Sequence, residues 1–144
     1  VCGRAGRGDV AGRAVVQTYQ PEHYAVAMAK NHDYISFYEN EITIRRQLNN
    51  PPFNDIIMLM MQGDNEASVI HELGRIAKRL RARNLNVMGP VPSPYSKIKN
   101  KYRWRIIIKH KDAYSLLELL HTIADYYAKS ENQLFIDINP NSMN

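Results

Sequence analysis

Cysteine and long apolar runs are both scarce in this sequence, and each scarcity excludes a class of protein. Its 144 residues include one cysteine, Cys2, so no internal disulfide can form and no structural zinc site can be built on cysteine alone. No apolar run approaches the roughly 20 residues that a membrane helix needs. No secretory signal pattern is visible. We therefore expect a protein of a reducing compartment without a membrane partner.

Acidic residues are missing from the middle of the chain. There is none between Glu72 and Asp112, although this stretch carries 12 of the 19 lysines and arginines. The remainder holds seven basic residues and all 14 acidic residues. Such asymmetry favours a polyanionic partner, which would be a nucleic acid or an acidic peptide. The alternative is a basic face that is simply solvated.

Turn signals and hydrophobic periodicity divide the chain into three parts. Residues 1–20 are glycine-rich and end in a predicted short strand over 14–19. Residues 21–52 predict a helical linker, with helices over 22–30 and 34–48, and Pro51 and Pro52 end it. Residues 53–144 form the third part, in which strand and helix patterns alternate.

The third part predicts an α+β domain. Strands are expected over 56–62, 85–88, 102–110 and 134–138, and helices from about 65 to 83 and from 112 to about 129. Prolines at 90, 92 and 94 predict a polyproline path, and residues 96–101 predict a basic loop. The order β-α-β-β-α-β is the ferredoxin-like plan, with both helices on one face of a four-stranded antiparallel sheet.

The predicted strand 102–110 carries the most informative alternation. Its two sides are Tyr102, Trp104, Ile106 and Ile108, and Arg103, Arg105, Ile107 and Lys109. We expect the first set beneath the helices and a cationic stripe on the open face. The candidate surface for nucleic acid or an acidic tail comprises Arg75, Arg79, Lys97, Lys99, Lys101, Arg103, Arg105 and Lys109. The alternative is that these residues only solubilise an open sheet.

Two arginines stand among glycines at the beginning of the chain. Arg4 and Arg7 can direct both guanidinium groups at one phosphate group, while Gly3, Gly6 and Gly8 let the backbone approach closely. The segment lacks the Gly-Lys-Ser/Thr ending of a Walker A loop, so we expect this chain not to hold a nucleotide alone. An ordinary glycine-rich turn has the same spacing.

Several blocks of sequence together resemble a known family. Residues 3–8 and 15–18 are similar to motif VI of superfamily 2 helicases. More narrowly, the chain resembles the bacterial replication-restart helicases of the primosomal protein N-prime (PriA) family. The likeness continues through residues 32–34, 37–41, 45–53, 89–94, 97–99, 102–104 and 136–140. It follows the family's order along nearly the whole chain.

The resemblance implies the C-terminal part of an ATP-dependent 3′–5′ DNA helicase that restarts stalled forks in the bacterial cytoplasm. Arg4 and Arg7 would then be arginine-finger contacts to ATP in the full-length protein. ATP, Mg²⁺ and a structural zinc would belong to that parent, and the fragment itself would need no cofactor and show no ATPase activity.

The partners implied by the resemblance are forked or single-stranded DNA, single-stranded DNA-binding protein with its acidic tail, and other primosome proteins. The alternative function is a stand-alone nucleic-acid-binding or protein-docking module. A small-subunit ribosomal protein that shares the β-α-β-β-α-β plan is the comparison for that alternative.

Overall fold

The computed structural model describes residues 14–141. These residues form two compact units, and the boundary between the units lies within a helix. The first unit ends at Thr43 and the second begins at Ile44. Arg4, Arg7 and the surrounding glycines lie outside the described residues, so their assignment to motif VI stays a prediction. The division into parts 1–20, 21–52 and 53–144 also stays a prediction. No helix within 14–141 is long and apolar enough to cross a membrane.

Two helices lie at the predicted places, and the second of them continues from the first unit into the second unit. Helix α1 runs Tyr24–Lys30, and α2 begins at Tyr34 and continues to Gln47. Asp33 caps α2, because its Oδ1 accepts a hydrogen bond from the Ser36 amide at 3.0 Å. The strand predicted over 14–19 is wrong: these residues are irregular. An extended segment becomes a strand only when a neighbouring chain supplies a hydrogen-bonded ladder.

The second unit has the predicted β-α-β-β-α-β order. Its elements are β1 (Asp55–Gly63), α3 (Glu66–Arg81), β2 (Asn86–Ile98), β3 (Lys101–His110), a 3₁₀ turn (Ala113–Leu116), α4 (Leu117–Tyr127) and β4 (Gln133–Ile138). The strands pair antiparallel in the order β2-β3-β1-β4. This arrangement confirms the ferredoxin-like α+β prediction.

The core lies between one face of the sheet and the helices α3 and α4. Its inner-strand members are wholly inaccessible to solvent, at 0% exposure: Ile57, Leu59, Met61, Ile106 and Ile108. Val69, Leu73, Ala77 and Leu120 meet them from the two helices. Each fully buried aliphatic side chain of this kind contributes about 1.5–3 kcal/mol. The opposite face of the sheet carries neither helix.

Strand β2 is longer than its sequence predicts. Residues 90–94 belong to the strand rather than to a polyproline segment, and the loop predicted over 96–101 is reduced to a turn at 99–100, because the strand continues to Ile98. Its position at the sheet edge allows this, since proline removes a donor that an edge strand can spare. The pairing with β3 shifts between Met88 and Val91 and again between Pro92 and Lys97. Gly89 is required at the first shift, because it has φ +94° and a Cβ there would lie 2.8 Å from the Arg105 carbonyl oxygen.

A half-buried carboxylate joins the two helices. Glu72 on α3 accepts hydrogen bonds from the Tyr127 hydroxyl of α4 at 2.8 Å and from Arg75 Nη1 at 2.9 Å. The Tyr127 hydrogen bond is the main reason that the pKa of Glu72 lies below its ordinary value, and Arg75 and His71 add to it. Burial, followed by this bond to Glu72, raises the pKa of Tyr127.

Removal of the Tyr127 hydroxyl should therefore destabilise the second unit in a pH-dependent way. We expect Tyr127→Phe to lower the free energy of unfolding by about 1–2 kcal/mol at neutral pH, measured by urea denaturation. Because the folded-state pKa of Glu72 is lowered, its stabilisation is complete above the ordinary value of 4.5 and disappears as pH falls through the folded value. The matched control is Tyr114→Phe on the exposed 3₁₀ turn. A loss of stability that is the same at neutral and acidic pH would contradict the assignment.

Candidate nucleic-acid interface

The hairpin formed by β2 and β3 carries six of the predicted binding residues. Its two-residue tip is Lys99 and Asn100, both with positive φ, at 48° and 63°. This is the backbone of a tight hairpin turn. Lys97 lies opposite Tyr102, with its Nζ 4.5 Å above the ring centroid and 3.2 Å from the hydroxyl. Lys101 begins β3, and the tip thus concentrates three ammonium groups.

The predicted alternation of β3 is confirmed. Ile106 and Ile108 are buried under the helices, and Trp104 Nε1 donates to Glu66 Oε1 of α3 at 3.0 Å. The side chains between them therefore point to the other side of the sheet, which we call the helix-free face because it carries neither α3 nor α4. Its members include Met58, Met60, Met88, Val91, Arg103, Arg105, Ile107, Lys109, Phe135 and Asp137.

The two arginines of the helix-free face lie across the sheet towards β1. Arg103 Nη2 is 2.9 Å from the Met60 sulfur, and Arg105 Nη1 is 4.0 Å from the Met58 sulfur. A thioether is a weak acceptor without charge, so it orients a guanidinium group without neutralising it. Arg103 Nε is buried and has no hydrogen-bond partner within residues 14–141. Each of the two arginines thus lies against a methionine sulfur on the neighbouring strand.

Apolar side chains that were not predicted from the sequence complete the helix-free face. Register places Val91, Arg105, Met60 and Phe135 in one row across all four strands. Phe135 is 46% exposed and Val91 40% exposed. The available signal was alternation: Phe135 falls between the half-buried Leu134 and Ile136 of β4, and the methionines at 58 and 60 share the phase of Arg103 and Arg105.

Lys109 is engaged inside the second unit. Its Nζ donates to the carbonyl oxygen of Leu48 at 2.8 Å and to Asn50 Oδ1 at 2.7 Å. The ammonium group thus satisfies a carbonyl at the end of α2, where orphan carbonyls collect. This structural duty differs from the phosphate contact expected from the sequence.

Arg75 and Arg79 lie on the helical side of the sheet, away from the hairpin. Arg75 pairs with Glu72. Arg79 and Arg83 instead stand at a groove of about 480 Å³ between α3 and α4. The groove is lined by Ile76, Leu80, Leu119, Ile123 and the exposed Tyr126. The predicted residues therefore fall on two opposite surfaces rather than one.

Within residues 14–141, histidine, aspartate and glutamate side chains nowhere gather in a group of three that could hold a metal ion.

The fold and its surfaces define a small ferredoxin-like α+β domain with a basic hairpin. Residues 46–141 match the model of the primosomal protein N C-terminal domain. The match covers well over half of the chain, which therefore belongs to this family.

Individual relatives agree along the whole chain. It is 34% identical over 150 residues to the replication restart protein PriA of Bacillus subtilis, with 99% of this chain and 19% of that protein covered. The protein of the same name from Synechocystis is 32% identical, at 99% and 17% coverage. That of Rickettsia felis is 35% identical, at 99% and 22% coverage. The chain thus spans about a fifth of the length of these relatives.

The structural duty of Lys109 can be tested by its removal. We expect Lys109→Met to lower the free energy of unfolding by about 1 kcal/mol, because two hydrogen bonds from a charged donor are lost at a partly solvated site. Urea denaturation measures this effect. Lys111→Met, which changes the neighbouring exposed lysine, is the matched control and should leave the free energy within about 0.5 kcal/mol. Equal effects of the two substitutions would remove Lys109 from this role.

Proposed function

We propose that this chain is the C-terminal part of an ATP-dependent 3′–5′ DNA helicase that restarts stalled replication forks in the bacterial cytoplasm. Membership of the primosomal protein N C-terminal domain family supports this, as do relatives named replication restart protein. The work of the second unit in that protein is to bind DNA through the β2–β3 hairpin. The observation that carries this proposal is the concentration of cations on a hairpin that contains no acidic residue.

The hairpin tip suits the phosphate backbone. Lys97 and Lys99 are exposed, and Lys101 is half-buried beside the turn. Ammonium groups on flexible stems contact phosphates without reading bases, so this contact positions a strand irrespective of its sequence. Displaced counterions drive such binding, which makes it strongly dependent on salt.

The motor chemistry belongs to the full-length protein. Arg4 and Arg7 would neutralise charge on the transferring phosphoryl group of ATP, with Mg²⁺ bound alongside the nucleotide elsewhere in the parent. Structural zinc and the docking of other primosome proteins are proposed for the parent as well. This chain contributes the arginines but no Walker A loop.

The groove between α3 and α4 favours a second candidate ligand, the acidic tail of single-stranded DNA-binding protein. Its apolar lining can accept a hydrophobic side chain, and Arg79 and Arg83 supply positive charge at its edge. An acidic peptide that carries an apolar anchor matches both properties. The two candidate ligands thus use different surfaces of one unit.

Neutralising the hairpin tip should weaken DNA binding through fewer phosphate contacts. For Lys99→Gln with Lys101→Gln, we expect an affinity for labelled DNA that is lower by on the order of tenfold at low salt. The slope of log affinity against log salt should fall by roughly 1.5. Fluorescence anisotropy over a salt series measures both. Lys109→Met is the matched single-cation control and should leave the slope nearly unchanged.

A crossed design separates the two surfaces. Arg79→Gln with Arg83→Gln should leave DNA affinity within about twofold and weaken an acidic peptide with an apolar C-terminus by on the order of tenfold. The hairpin variant should show the reverse pattern. Unchanged DNA affinity in the hairpin variant would overturn the assignment of the hairpin, and unchanged peptide affinity in the groove variant would remove the second candidate.

The isolated 144-residue chain should hydrolyse no ATP. It has no Walker A loop to hold the β- and γ-phosphates, so an arginine finger would have no nucleotide to act on. A coupled assay with Mg²⁺, in the presence and absence of single-stranded DNA, should therefore give the rate of buffer alone. Turnover that copurifies with the chain and is abolished by Arg7→Ala would contradict this prediction.

A further inference from the structure

The helix-free face has a composition that phosphate binding alone does not explain. Beside Arg103 and Arg105 it presents Met60, Phe135 and Val91, and two of these apolar side chains are at least 40% exposed. A surface that served only to attract phosphates, or only to be solvated, would not need a phenylalanine and methionines beside its cations. The composition of the face fits a ligand with both charge and apolar planes.

The geometry of the arginines points to the same kind of ligand. Arg103 Nη2 reaches the Met60 sulfur at 2.9 Å, so the end of its side chain is held against a thioether of β1. Its Nε is buried without a hydrogen-bond partner in residues 14–141, so solvent does not solvate that edge of the group. A guanidinium plane held in this way offers a broad cationic face on which an aromatic ring can stack.

We propose that the helix-free face is a stacking platform for the unpaired bases of single-stranded DNA. Bases would stack on Phe135, on Met60 and on the Arg103 plane, while the hairpin lysines hold the backbone. Charge complementarity selects a polyanion, and the apolar surfaces select exposed base rings, which a duplex hides within its stack. This inference rests on the proposed DNA binding and specifies which form of DNA the second unit prefers.

The one carboxylate on β4 fixes the direction of this platform. Asp137 is exposed and pairs with Met58, so it stands beside the Phe135 row on the same face. It repels phosphates, and the backbone is therefore expected to follow β3 towards the hairpin tip. Bases then project from β3 across Met60 on β1 to Phe135 on β4, the next strand in the order β3-β1-β4.

The test compares two single strands that differ only in their bases. An oligothymidylate and an abasic oligonucleotide of the same length carry the same phosphates, and each is titrated into the 144-residue chain by fluorescence anisotropy. We expect oligothymidylate to bind at least about fivefold more tightly. Phe135→Ala should lower the affinity for oligothymidylate by about 5-fold to 100-fold. It should leave unchanged both the affinity for the abasic strand and the slope of log affinity against log salt.

Two control variants exclude a general effect of aromatic removal and a loss of folding. Tyr114→Ala removes an exposed aromatic side chain from the 3₁₀ turn and should change neither affinity. Phe135→Trp keeps an aromatic surface and should retain binding of oligothymidylate, which a merely structural role for Phe135 would not predict. Circular dichroism should show the same fold in every variant.

The outcomes separate this inference from the proposed function. Equal affinities for the two strands, or equal weakening of both by Phe135→Ala, would overturn the platform. If Lys99→Gln with Lys101→Gln still lowered the affinity for both strands in that case, phosphate binding by the hairpin would remain supported without the platform. A chain that binds neither strand would overturn the proposed function and the platform together.

Discussion

The two-residue period of the inner strands is the constraint on which the second unit depends. Ile57, Leu59 and Met61 of β1 and Ile106 and Ile108 of β3 are all removed from water beneath α3 and α4. A shift of either strand by one residue would expose this set and bury the arginines, so register is strongly specified. Burial on one side thereby dictates that Arg103 and Arg105 stand on the other.

Basic residues that form one group in the sequence make different contacts in the folded unit. Arg75 pairs with Glu72, Arg81 donates to the carbonyl oxygens of Val87 and Gly89, and Lys109 closes the end of α2. These donors already have oxygen partners within the unit. The hairpin lysines have no such carboxylate or carbonyl partner among the contacts of the described residues. Basic composition therefore overstates the charge that a ligand meets.

Local sequence patterns predicted the fold well where the formation of a helix or strand depends mainly on its own residues. The alternation of residues 102–110 and the helical apolar periodicity both correspond to elements of the structure. Prediction failed for β2, where an edge position lets prolines remain in a strand. It also failed over 14–19, where strand propensity has no ladder to join. Both outcomes depend on whether another segment of the protein pairs with the segment in question, and the local sequence does not contain this information.

The candidate site was predictable in its charge but not in its chemistry. Lys99, Lys101, Arg103 and Arg105 could be selected because the acid-free stretch and the strand period are visible in sequence. That Arg103 rests on the Met60 sulfur depends on the register of β1 with β3, and that Phe135 joins the row depends on β4. Arg103 and Met60 are 43 positions apart in the sequence, so they come into contact only when the sheet has formed.

The opposite placement of the helix-free face and the α3–α4 groove has an electrostatic consequence. A layer of sheet and a layer of helices stand between them, and packed layers are separated by about 10 Å. This is about the Debye length at physiological salt, so two anionic ligands on these surfaces repel each other only weakly. Steric exclusion is absent as well, because Arg79 and Arg83 border the groove while the hairpin lysines belong to the sheet. Under the proposed function, a DNA strand and an acidic peptide could therefore occupy one unit together, and we expect their binding to be nearly independent.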